Sequence, residues 1–192
     1  IFNNNVNIND YVYNNSFNEF KNNKFLLNNN CYYEFFDNNF NFVKEESLWL
    51  TQVQVGGQLY NVRLHYNPYE VEDIPYVGDI DERFQQDVIY ITHDPAEGNL
   101  GYVAVAAAEL SLSMASVFNI EPVAACSTNF TGICETRPIM TCDNTNSPVI
   151  YLKEDNVTQV SLKGNCIVIQ GKGQELIKAA DKVLYIWYRV IK

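Results

Sequence analysis

The spacing of apolar and polar positions changes period several times along the chain. Phe2, Val6, Ile8 and Val12 share parity, so residues 1–13 read as an extended strand with one apolar face and asparagines on much of the other. Residues 48–55 and 59–66 flank Gly56-Gly57-Gln58, a strand–turn–strand pattern that predicts a hairpin. Residues 70–82 are acidic, are broken by Pro75 and Gly78, and predict an exposed loop. A β-branched strand follows over 87–92 and is ended by Asp94-Pro95. Residues 100–118 are alanine-rich and apolar almost all round, which predicts a buried helix with Asn99 to cap its start and Asn119 to end it. Next come a strand over 121–126, a cysteine-bearing loop over 127–147, and short strands over 149–152, 159–162 and 166–170. After Gly171-Lys172-Gly173 a helix is expected to about Ile191. Leu176, Ala180, Val183, Leu184, Trp187 and Ile191 recur at steps of three and four, with Glu175, Lys178, Asp181, Lys182 and Arg189 mostly on the opposite face. The expected fold class is α+β: an antiparallel or mixed sheet carrying two helices, at about 100–118 and 174–191, on one face.

Composition divides the chain near its first quarter. The first 44 residues hold 16 asparagines and 12 aromatics, whereas the other 148 hold only 9 asparagines. Residues 1–46 are therefore read as an extended Asn- and aromatic-rich segment, and 47–192 as the globular body. Disordered segments are poor in aromatics, so the lead segment is expected to be ordered strands and loops laid over the body or another subunit. With Ile1 at its head and no basic-plus-apolar leader, the sequence reads as that of a processed chain. The most apolar stretch, 102–118, is interrupted by Glu109 and three serines and reads as a core helix, with no membrane span expected.

The cysteines are Cys31, Cys126, Cys134, Cys142 and Cys166. Their spacings fit no common zinc knuckle, and only two histidines, His65 and His93, accompany them, so no metal site is expected. Disulfides account for them better. Of the three pairings open to the four body cysteines, Cys126–Cys134 with Cys142–Cys166 is expected, leaving Cys31 free or joined between chains. Three N-x-S/T sequons, at Asn14, Asn129 and Asn156, suit the same oxidising compartment and make the chain a possible glycoprotein.

The net charge of −10 argues against nucleic acid and against anionic membrane surfaces as partners. Individual motifs give little chemistry. Gly171-Lys172-Gly173 lacks the rest of a phosphate loop and reads as a turn. His93-Asp94 reads as structural, beside a turn proline. Glu70, Glu72, Asp73, Asp79, Asp81 and Glu82 resemble a calcium-binding cluster less than a solvated loop. Glu109, inside the apolar helix, is expected to pair with Arg63 or Arg137, or to be a buried acid with a raised pKa. No Gly-x-Ser-x-Gly elbow is present, so no catalytic residue and no cofactor are expected.

Two sets of segments carry a resemblance. Gly164-Asn165-Cys166-Ile167-Val168-Ile169-Gln170-Gly171 is followed by a helix from Glu175 to Tyr185, and Ala124-Ala125-Cys126 and Pro138-Ile139-Met140-Thr141-Cys142-Asp143-Asn144 precede it. Over roughly residues 50–192 this pattern resembles uncharacterised exported or cell-surface proteins of small-genome archaea. The resemblance implies structural motifs and no activity.

The expected function is thus that of a non-enzymatic structural protein, extracellular or at the cell surface. It would be a pilin-like subunit of a filament or surface layer, a homo-oligomer in which residues 1–13 act as a donor strand. The alternatives are a surface module binding glycan or protein through the aromatic and amide face, and a secreted hydrolase centred on His93, Asp94 and the acidic loop.

Overall fold

The computed structural model describes residues 23–27, 30–37, 40–98 and 100–191. The assembly strand with Phe2, Val6, Ile8 and Val12, the sequon at Asn14 and the cap at Asn99 lie outside these residues.

The described residues form the expected α+β fold, with eleven strands in two sheets, one antiparallel and one mixed, where a single sheet was expected. The first is an antiparallel meander of β1 (Asn23–Leu27), β2 (Asn30–Asp37), β3 (Phe40–Glu45), β4 (Leu48–Val55) and β5 (Gln58–Leu64), paired in chain order. Cys31 lies on β2, in register with Leu26 of β1. The compositional boundary at residue 46 falls in the β3–β4 turn, where Glu46 takes a φ of 55°, and the sheet continues across it. Between β4 and β5 the chain reverses through Gly56 and Gly57, whose φ values of 58° and 84° suit a two-residue hairpin turn and cost glycine no steric strain.

The second sheet is mixed, with strand order β6-β10-β11-β9-β7-β8. Its members are β6 (Tyr76–Val77), β7 (Val88–His93), β8 (Glu121–Ala124), β9 (Val149–Glu154), β10 (Gln159–Lys163) and β11 (Cys166–Gly171). Only the β10–β11 hairpin is antiparallel; β6–β10, β11–β9, β9–β7 and β7–β8 are parallel. The stretch expected to be an exposed acidic loop instead contains a short helix α1 (Pro68–Val71), strand β6 and a 3-10 turn at Glu82–Phe84. Its carboxylates are used locally. Asn67 and Glu70 form a reciprocal capping box, and Asp81 caps the 3-10 turn and pairs with Arg83.

Helix α2 (Leu100–Ser113) crosses from β7 to β8 and continues as a wider π turn, Met114–Phe118, closed by Asn119 in the left-handed conformation. It was expected to be buried all round. It buries only the stripe of Val103, Ala106, Glu109, Leu110 and Ser113, while Tyr102 and Leu112 are exposed on its outer side. By length and composition Leu100–Phe118 would suit a membrane span; here its buried stripe packs on α3 and β9.

Helix α3 (Gln174–Trp187) ends four residues earlier than expected, and Arg189 turns the chain at a φ of 61°. Its polar face is not solvated either: Asp181 and Lys182 are buried together with Leu176, Ala180, Val183 and Leu184. The reason is position. One side of α3 lies along β11, and Tyr185 meets Phe42 of β3 edge-on at 5.9 Å between ring centres, so both sheets contribute to one core around it. Lys182 adapts by donating from Nζ to the Glu72 carbonyl at 2.9 Å, and burial lowers its pKa.

Candidate functional site

Two places gather polar side chains inside or against apolar surroundings. The first lies between α2 and α3. Glu109 sits on the buried stripe of α2, and its Oε1 hydrogen-bonds Nδ1 of His65, the residue following β5. Its other oxygen, Oε2, and Asp181 Oδ1 on α3 are shut off from solvent with no hydrogen-bond partner, and the two acids influence each other's titration. Burial raises the pKa of both, and Asp181, wholly buried and beside Glu109, is raised well above the ordinary carboxylate range. Its Oδ2 accepts from the Tyr66 backbone N–H at 2.8 Å, and Tyr185 donates its hydroxyl to the Tyr66 carbonyl at 2.7 Å.

Neither Arg63 nor Arg137 pairs with Glu109; a histidine 44 residues upstream and a carboxyl 72 residues downstream (181 minus 109) take their place. Sequence spacing carried no signal for either contact. The histidine side chain is 37% exposed, whereas the Glu109 side chain is 9% exposed and Asp181 is fully enclosed.

The second place is a groove of about 330 Å³ at the carboxyl ends of β7 and β8. Ile91, Val103, Ala107 and Pro122 line it, with His93 and Arg137 as its basic groups. It lies between α2 and the β7–β8 edge of the sheet, with the helix that joins these two strands as one wall. His93 closes β7 and is half-buried; burial first, and then the charge of Arg137, lowers the pKa of its imidazole. Asp94 is engaged elsewhere: its Oδ1 accepts from the Ala96 N–H at 3.0 Å and from the Thr128 hydroxyl at 3.4 Å. Nearby, Glu97 accepts from the Glu154 N–H at 2.9 Å, and burial raises its pKa.

Arg137 is brought to the groove by the cysteine loop. Cys126 bonds Cys134, and Cys142 bonds Cys166 at the start of β11. Cys126 also forms a bridge with Ile139, and the Arg137 N–H donates to the Cys134 carbonyl at 3.3 Å. The sequence showed this loop as cysteine-bearing but gave no sign that it lines a groove. The two disulfides imply an oxidising environment. The sequons at Asn129 and Asn156 both lie at exposed positions outside helices and strands.

The remaining sequence candidates have structural roles. Gly171-Lys172-Gly173 is a close-packing device: a Cβ on Gly171 would come within 2.7 Å of the Glu175 carbonyl carbon in the first turn of α3. Among the described residues, no three of the His, Cys, Asp and Glu side chains converge as a metal site would require.

No family model and no curated protein matches the chain. Among solved structures, the crystal structure of metalloproteinase-II from Bacteroides fragilis is similar at 10% identity, covering 85% of this chain and 73% of that one, with a TM-score of 0.31. A likeness that slight carries no argument about fold or activity.

Proposed function

We propose that the chain is an extracytoplasmic, non-enzymatic structural subunit that assembles with copies of itself at the cell surface by strand addition. The observation that supports this reading is the edge of the meander, open among the described residues. There β5 lies at the end of the strand order, is seven residues long, and contains neither proline nor bulge. Its inward residues Val62 and Leu64 are buried, while Leu59 is 56% exposed. In an antiparallel ladder closed by a two-residue turn, alternate residues face away from the partner strand; on β5 these are Leu59, Asn61 and Arg63. Unpaired N–H and C=O groups in such a row accept another strand. Residues 1–13, with Phe2, Val6, Ile8 and Val12 on one face, have the alternation such a donor needs. The disulfides and sequons fit an external location.

Mass photometry of material purified without reductant tests the mechanism. The full chain is expected to form oligomers, and deletion of residues 1–13 to leave a folded monomer. Arg63→Pro, which removes an outward N–H from the edge without touching the β4 ladder, is expected to give the same result. Oligomers that survive both changes would refute strand addition at β5.

A further inference from the structure

We infer that the groove at the carboxyl ends of β7 and β8 is a binding site for an aliphatic monocarboxylate, with Arg137 taking the carboxylate and the α2 face holding the hydrocarbon. Three observations carry it. The first is size and lining. About 330 Å³ lies at the lower end of the range of ligand sites, roughly 300–1,000 Å³, and the walls are mainly Ile91, Val103, Ala107 and Pro122. Such walls reward a hydrocarbon body and offer little to a sugar.

The second is the state of Arg137. Arg137 lines the groove together with His93, on whose imidazole its charge acts, and it is half-buried. Among the described residues, no carboxylate lies within ion-pair distance of it. The chain carries 23 acidic and 13 basic side chains, so a sheltered arginine without an acidic partner is a departure from what its own surface would supply. Asp94, the nearest carboxylate to His93 in sequence, is held by Ala96 and Thr128. A guanidinium in that position accepts a carboxylate through parallel N–H···O bonds.

The third is the fixed frame. The Cys126–Cys134 bond ties the arginine-bearing loop to the end of β8, and the Ser127 N–H donates to the His93 carbonyl at 2.9 Å. The backbone that carries both basic groups is thereby fixed before any ligand arrives, which lowers the ordering cost of binding. Burial and the charge of Arg137 lower the pKa of His93, which leaves its imidazole as a further hydrogen-bond partner for the carboxylate.

The test is isothermal titration of the intact, oxidised chain with hexanoate, octanoate and decanoate, and with octanol as the uncharged control. Saturable binding of a carboxylate, and binding of octanol at least about tenfold weaker, are expected, because a charge-assisted pair contributes about that factor or more. Arg137→Gln should weaken octanoate binding by about tenfold or more while leaving octanol unchanged. Ala104→Phe, at an exposed position on the groove wall, should block both ligands without disturbing the core. Circular dichroism and thermal melting confirm that each variant is folded. Equal affinity for octanol and octanoate, retention of octanoate binding in Arg137→Gln, or no saturable binding of any member of the series would overturn the assignment.

Discussion

Glu109 on α2 and Asp181 on α3 are two buried acids that influence each other's titration where the long helices meet. The pKa of Asp181 is raised well above its ordinary value of 3.8 by burial and by the neighbouring Glu109. A folded state that binds a proton more tightly than the unfolded chain is favoured where the proton is present in both. This contribution is therefore complete below the ordinary aspartate range and is lost as pH rises through the raised value.

Asp181→Asn carries a permanent donor toward Glu109 and still accepts from the Tyr66 N–H. It should melt at or above the parent temperature at neutral pH, and its melting temperature should depend less on pH between about pH 4 and pH 8. Parallel melts across that range check the point. A slope as steep as the parent's would show that another group sets it.

Glu109→Ala removes the partner of a fully enclosed acid and opens space beside Leu110. Loss of about 3 kcal/mol in denaturant unfolding is expected, since breaking one side of a buried polar pair leaves the other unsatisfied. Glu109→Gln keeps the shape and a hydrogen bond to either neighbour and should lose less than half of that.

Gly171→Ala sets a methyl carbon against the first turn of α3, at 2.7 Å from a backbone carbon that cannot swing aside. Overpacking of this kind costs about 1–3 kcal/mol. Gly98→Ala, where the added carbon meets nothing within 4 Å, is the control and should change stability little. Chemical denaturation of the two variants side by side measures the difference.

The two disulfides close loops of unequal length, with sequence separations of 8 and 24. In the chain-entropy model their removal costs about 2.5 and about 3.4 kcal/mol respectively. Replacing Cys142 and Cys166 together by serine should therefore lower the melting temperature more than replacing Cys126 and Cys134. The shorter loop should instead show its loss at the groove, as weaker octanoate binding, because Cys134 anchors the segment that carries Arg137.

Local pattern made the secondary structure legible wherever local forces decide it. The Gly56-Gly57 turn, the end of α2 at Asn119 and the three strands after residue 148 follow from glycine conformation, left-handed capping and β-branched runs. The cysteine spacings argued against a zinc knuckle and so for disulfides, and of the three pairings left open the expected one is present. What the sequence could not express is which faces meet. Asp181 and Lys182 read as solvent-facing because a helix packed on one sheet has a wet side, but α3 is enclosed by two. Conversely, α2 looked buried all round because alanine is apolar, although alanine is small enough to leave exposed at little cost. Contacts such as His65 with Glu109, and the approach of Arg137 to His93, join residues 44 positions apart in each case (109 minus 65 and 137 minus 93). No periodicity spans such distances, so both candidate sites were beyond reach of pattern alone.

The meander's strict chain order governs how the molecule would come apart from its front end. Shortening the protein from residue 23 onward strips the ladder from its rim inward, and each loss bares the next strand without splitting the rest. Erosion that reached β3 would open the common interior, because Phe42 is wedged there against Tyr185.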